Sequence, residues 1–165
     1  MRERRAFQDA RRAREFEAFV AGAAGRLLHA ATLLTTEPAD DNPRARKLLT
    51  SALARTYASW DRLRGEDPYD RARKELALRF ARAAWHRHRG YGGVLCRLGP
   101  QERLILVLRL YEGVGEEQVA ALLRLPMERV HAIHARAMAL VLHPPRRPAP
   151  AASLGDAAAL KEVPS

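Results

Sequence analysis

Apolar side chains recur at three- and four-residue steps through most of this chain, the spacing of one face of an α-helix. Phe16, Phe19, Val20, Ala23, Leu27, Ala31 and Leu34 define such a face and predict a first helix over 14–34. Residues 35–43 (TTEPADDNP) are turn formers and breakers, so a loop is expected there. Leu49, Leu53, Tyr57 and Trp60 step by four, four and three and predict a second helix over 44–64, broken by the glycine and proline of 65–68. Asp67 and Pro68 form a strong start signal, an N-cap followed by the residue best tolerated at the first helical position. Tyr69, Ala72, Leu76, Phe80 and Ala83 then supply the inner face of a third helix running to 89.

The GYGG of 90–93 ends that helix and marks the best boundary in the chain. Three shorter helices are expected beyond it. The first covers 100–112, with Leu104, Val107, Leu108 and Tyr111 inward; the second covers 116–123, with Val119, Leu122 and Leu123 inward; the last covers 126–142. From His143 onward the proline-rich tail predicts extended or flexible chain. No alternating pattern suggests strands and no internal repeat is visible. The expected architecture is all-α: a basic arm or frayed helix start at 1–13, a helical domain at 14–89, a short linker at 90–97, a second helical domain at 98–142 and a tail at 143–165.

Charge changes the picture. The 165 residues carry 29 Lys and Arg against 19 Asp and Glu, a formal net charge of +10 that predicts attraction to polyanions. Residues 2–14 alone hold six arginines against Glu3 and Asp9. The outer face of the third helix is basic too, with Arg71, Arg73, Lys74, Arg79, Arg82, Arg87 and Arg89 set against Glu75. Cys96 is the single cysteine, so no intrachain disulfide is possible, which fits a reducing cytoplasm. The charged start has no apolar stretch behind it and the densest apolar run, 104–108, is too short to cross a bilayer, so neither a signal peptide nor a membrane partner is expected.

The short helix, tight turn at Arg124-Leu125 and longer helix over 115–141 have the spacing of a helix–turn–helix. LGPQER at 98–103, LRLYEG at 108–113 and EQVAALL at 117–123 resemble region 4 of the extracytoplasmic-function (ECF) group of sigma-70 family factors. FEAFV at 16–20, LARTYASWDRL at 53–63, and Asp67-Pro68-Tyr69 with the basic stretch ending at Arg89 are similar to region 2. The resemblance spans about 14–141. It implies a sigma factor for transcription initiation, not an enzyme, that binds the β′ clamp helices and β flap of core RNA polymerase and promoter DNA, with an anti-sigma factor as a further partner. DNA contacts are then expected from Arg79, Arg82, Trp85, Arg87 and Arg89 near the melted minus-ten element, and from Arg124, Arg129, His131 and Arg136 at the minus-thirty-five element. Trp85 either stacks on an unpaired base or packs in the core; Trp60, in register with Leu49, Leu53 and Tyr57, is expected in the core.

Two departures stand out against that family. The clamp-binding helix usually carries an acidic pair followed by Gln; the corresponding polymerase-binding positions here are Arg46, Lys47 and Thr50, and like charges at an interface cost several kcal/mol. In the last helix Ile133 occupies a place where Arg usually meets phosphate, and His134 one where an apolar residue usually faces the core. These departures motivate an alternative, a degenerate sigma-like regulator acting through a protein partner with weak or no promoter reading. No cofactor and no metal site are expected: His86 and His88 point to different faces, and His131 with His134 lacks a third ligand at familiar spacing. GxSxG, HExxH and P-loop motifs are absent from the sequence.

Overall fold

The computed structural model describes residues 2–63, 65–83 and 91–143, which are helical with no strand among them. The elements are α1 (Arg2–Thr35), α2 (Pro43–Ala58), a 3-10 turn at Trp60–Arg62, α3 (Pro68–Arg82), a second 3-10 turn at Val94–Arg97, α4 (Pro100–Leu106), which continues as a π-helical turn over Val107–Tyr111, α5 (Glu116–Leu123) and α6 (Met127–Leu142).

α1 starts at Arg2, not Arg14. The arginine-rich stretch expected as an arm or frayed end contains no glycine or proline to stop a helix. It is also held locally: Arg11 pairs with Glu15 one turn on, and Arg12 reaches the Tyr57 carbonyl, lies over the Tyr57 ring and pairs with Asp61 at 3.0 Å. Phe16, Phe19, Tyr57 and Trp60 close this end as an aromatic cluster, Trp60 meeting Phe16 edge-on with centroids 5.1 Å apart. Trp60 is therefore half-buried in this aromatic cluster and not in the central core expected for it, because α2 ends at Ala58 and the 3-10 turn takes Trp60 out of the register of Leu49 and Leu53. α1 is long and apolar enough by length and composition to cross a membrane. An apolar stretch thus does follow the charged start, against expectation; about a third of it, including Ala23, Leu27, Ala30, Ala31 and Leu34, is buried in the protein core.

The start of α2 shows why sequence capping rules need tertiary context. Asn42 sits at the N-cap position without capping; instead the buried Glu37 carboxylate accepts the Arg44 and Ala45 amides at 3.1 and 2.8 Å. α2 ends at Ala58, six residues short of expectation, and tightens into the 3-10 turn that carries Trp60. α3 begins as expected, the Asp67 carboxylate accepting the Tyr69 amide at 2.9 Å. It ends at Arg82 with Ala83 as its C-cap, and the expected continuation over 84–89 lies outside the described residues.

One continuous cluster of buried side chains runs from α1, α2 and α3 into α4, α5 and α6. Leu27, Leu34 and Phe80 belong to it, as do Ile105, Val119 and Val130. A smaller cluster of Leu98, Leu106 and Ala137 seats α6 on the 3-10 turn and α4. The two groups of helices are also joined by polar contacts. Arg103 of α4 donates to the Leu34, Leu95 and Leu98 carbonyls at 2.7, 3.1 and 3.0 Å. It thereby brings a cation to the C-terminal end of α1, whose own last turn has no basic residue. The π turn after α4 ends where the Glu112 amide bonds the Val107 carbonyl, and Gly113 follows at φ 68°, a conformation suited to glycine.

That wide turn delivers Glu112 into the seam. Its side chain is 1% exposed; it accepts the Tyr69 hydroxyl at 3.0 Å and faces Arg26 of α1 at 3.6 Å and Arg73 of α3 at 3.8 Å. Burial, and then the Glu112 charge, push the Tyr69 hydroxyl well above its usual range, so it stays a proton donor. Glu112→Gln keeps the shape but removes the charge that three donors face. Because hydrogen bonds to charged groups contribute about 1.5–3 kcal/mol, urea unfolding should show a loss of roughly that size. Unchanged stability would mean the seam does not depend on this carboxylate.

Candidate nucleic-acid interface

The α5–α6 hairpin is built from local signals. Glu102 and Gln118 each reach back from the third helical position to the amide of the preceding glycine, Gly99 at 2.7 Å and Gly115 at 3.4 Å. α5 stops at Arg124, which takes a left-handed conformation (φ 55°, ψ 44°), and the Leu125 amide closes the turn on the Ala120 carbonyl at 3.0 Å. Pro126 precedes α6 with φ −59°, and its carbonyl accepts the Arg129 and Val130 amides at 3.1 and 3.2 Å. Val119 from α5 and Val130, Ile133 and Ala137 from α6 are buried, so the hairpin packs on its inner side and presents the opposite side of α6 to solvent.

That outer side carries Arg129, Ala132 and Arg136 in one stripe, with Arg124 at the turn, all exposed. Arg136 is tied to Glu102 at 2.6 Å while its side chain stays 68% exposed. His131, also exposed, lies to the α5 side with its Nδ1 3.2 Å from Glu116. Arg129 and Arg136 therefore share one exposed side of α6 with Arg124 at the turn, while His131 is exposed on the side toward α5; Arg136 and His131 have carboxylate neighbours that a phosphate would have to displace. Ile133 is corrected by the structure: it is 8% exposed and belongs to the core, so it is neither a lost phosphate contact nor an apolar surface patch. The helix presents the next residue, His134, half-buried beside it. Its Nε2 is buried with no partner among the described residues, and burial, followed by the nearby Arg109 charge, holds the imidazole below its usual range.

The remaining expected residues lie on α2 and α3. Arg46 is exposed and hydrogen-bonded through Nε to Asn42 at 2.9 Å, and Thr50 donates to the Arg46 carbonyl. Lys47 does not join them; it lines a groove between α2 and α3 together with Arg79 and Arg82. Ser51 and Arg55 line the same groove. Sequence reading missed both, although they follow Lys47 at successive four-residue steps on one helix face. Trp85, Arg87, Arg89, His86 and His88 lie outside the described residues. Among the described residues no group of three or more His, Cys, Asp or Glu side chains is placed to hold a metal ion.

Residues 94–141 match the family model of sigma-70, region 4. The matched segment starts with the 3-10 turn at Val94–Arg97 and runs through α4, α5 and nearly all of α6, so it contains the whole hairpin. Region 4 is the DNA-binding region of sigma factors, which supports a sigma-like role in transcription and a regulatory rather than catalytic module. Comparison with curated proteins gave no match.

Two outcomes follow from the hairpin. A side chain other than glycine in the left-handed region is strained by roughly 1 kcal/mol, so Arg124→Gly should raise thermal stability by about that amount while lowering affinity for duplex DNA through the lost charge. A drop in stability would contradict the turn geometry. His134 has a folded-state pKa below its unfolded value, so the unfolded chain binds more protons between the two. Stability is then fully present above the ordinary histidine value of about 6.5 and falls as pH drops through that value toward the folded one. Denaturant titrations across this window should show the fall in the native chain and a flatter profile in His134→Gln; identical profiles would rule His134 out as its source.

Proposed function

We propose that this chain is a transcription initiation factor of the ECF group of the sigma-70 family, acting in the cytoplasm by binding core RNA polymerase and conferring promoter choice. Its 98–142 part serves as the region 4-like domain and its 14–89 part as the region 2-like domain. The observation that carries this reading is the coincidence of the region 4 match with a hairpin that exposes Arg124, Arg129 and Arg136. In this reading Arg124, Arg129, His131 and Arg136 meet the minus-thirty-five element, with the β flap contacting the same domain. The α1–α3 half meets the β′ clamp helices through α2 and the melted minus-ten element through the basic side of α3. An anti-sigma factor is a natural further partner for such a two-part molecule. The excess of positive charge supports association with DNA through phosphate contacts, which are sequence-independent and salt-sensitive.

A second reading keeps the fold but gives the chain a protein partner in place of promoter DNA. It draws on Arg46 and Lys47, which are exposed cations on the helix expected to dock on the clamp. Ile133 no longer favours it, because that side chain is buried.

Affinity capture with core polymerase at moderate salt, followed by run-off transcription, separates the two. The sigma reading expects retention of β′ and promoter-dependent transcripts. Arg129→Ala combined with Arg136→Ala should cut promoter affinity about ten-fold or more, since each good base contact discriminates by about 1–3 kcal/mol. Retention of β′ without any promoter-dependent transcript would transfer support to the second reading, and failure to retain β′ would reject the sigma reading.

A further inference from the structure

We propose that Thr50 is a phosphorylation site for a serine/threonine kinase that selects cations upstream of its target, and that the phosphate removes the charge repulsion that keeps α2 from docking. The docking half rests on the sigma reading, in which α2 meets the polymerase clamp. The modification site itself does not.

Among the described residues Thr50 is the one serine or threonine that is fully exposed. Thr32, Thr35, Thr36 and Thr56 are buried, while Ser51 and Ser59 are half-buried. Thr50 stands on the side of α2 away from its buried residues Ala45, Leu48, Leu49 and Ala52, and its hydroxyl donates to the Arg46 carbonyl at 2.9 Å. The sequence singles it out a second time. Of the nine serines and threonines in the chain, Thr50 alone has cations at both three and four residues before it, Lys47 and Arg46. Charge patterns of that kind are what kinases with an acidic substrate groove use to tell targets apart.

The charges around Thr50 suit a phosphate. α2 holds Arg44, Arg46, Lys47 and Arg55 and no Asp or Glu. Its one ion pair among the described residues is Arg44 with Glu37, at 3.9 Å and at the very start of the helix. Arg46 and Lys47 are both exposed. They lie at the two spacings at which side chains of a helix are neighbours, and a helical side chain leans back over the preceding turn. A group carried on Thr50 Oγ1 therefore comes to rest beside two cations that no carboxylate meets.

In the transfer, Thr50 Oγ1 attacks the γ-phosphorus of ATP. The bond from that phosphorus to the β-phosphate oxygen breaks and ADP leaves. The hydroxyl proton, now held toward the Arg46 carbonyl, passes to the catalytic base of the kinase. The product carries about −1.5 to −2 charges and three strong acceptor oxygens. Arg46 and Lys47 supply two positive charges, so the outer face of α2 goes from cationic to nearly neutral. It also gains acceptors at its centre that match a guanidinium fork. Like charges set against each other oppose docking of the unmodified face, and the phosphate removes that opposition.

The site is tested first. The full chain is incubated with γ-labelled ATP and a purified serine/threonine kinase that selects Arg or Lys three and four residues upstream, and the label is mapped by tandem mass spectrometry. One phosphate on Thr50 is expected, with none in the shape-conserving Thr50→Val and a much slower reaction in Arg46→Gln with Lys47→Gln. Label absent from Thr50, or transfer indifferent to the two glutamines, would overturn the site. Capture of core polymerase over a salt series then tests the docking. The phosphorylated chain should bind at least about ten-fold more tightly than the unmodified one, with a gain that shrinks as salt rises. Arg46→Glu with Lys47→Glu, which brings acids without phosphate, should bind at least as tightly as the phosphorylated chain. Binding by that double variant with no gain from the phosphate would overturn the docking half and leave the sigma reading standing. Polymerase retained by none of the three would reject the sigma reading and the docking half together, while the mapped phosphate still decides the site.

Discussion

A single buried carboxylate sets how the two groups of helices meet. Glu112 is out of water, faces two guanidinium groups and accepts a tyrosine hydroxyl, and each partner comes from the other half of the molecule. A buried charge is tolerated only when donors surround it. The seam therefore holds one geometry, in which α1, α3 and the end of α4 are in register. Arg103 does the same at the far end of α1 by bringing its guanidinium to three carbonyls. The apolar core that runs through the seam supplies area; these two polar centres supply its specificity. The position of α5, and hence the way α6 faces solvent, follows from them.

This arrangement leaves two basic surfaces. One is the outer side of α6, where packing turns Val130, Ile133 and Ala137 inward and leaves Arg129 and Arg136 outward. The other is the α2–α3 groove, where cations without carboxylate partners gather. Both arise from the same rule: a helix that buries one face must show the other, and in an arginine-rich chain the shown face is basic wherever acids are not interleaved. The two differ in how their charge is met: on α6 Arg136 pairs with Glu102 and His131 lies beside Glu116, whereas Lys47, Arg55, Arg79 and Arg82 form no ion pair among the described residues.

Much of the fold was legible because helical periodicity is a local signal. The third to sixth helices begin within a residue or so of where Asp67-Pro68, Gly99-Pro100, Gly115 and Pro126 put them. Their inner faces follow the spacing of Leu104, Val119 and their neighbours. Less legible were features decided by distant partners. The helical state of residues before Arg14 depends in part on Arg12 meeting Asp61 and Tyr57. The capping of α2 by Glu37 depends on a loop fold that no short motif encodes. Ile133 was misplaced because family position was given priority over its spacing from Val130 and Ala137, which puts all three on one face. The site itself was half legible: arginines could be counted along each helix, but which of them lacked acids across a groove required the packing of α2 on α3.

The central claim is that the outer side of the α5–α6 hairpin is where this chain meets duplex DNA. Nuclear magnetic resonance titration of the isotope-labelled chain with a promoter duplex tests it most directly. Shift changes should concentrate at the Arg124 turn, along Arg129, Ala132 and Arg136, and in the Arg129 guanidinium. Changes confined to α1, or none in the hairpin at saturating DNA, would contradict it.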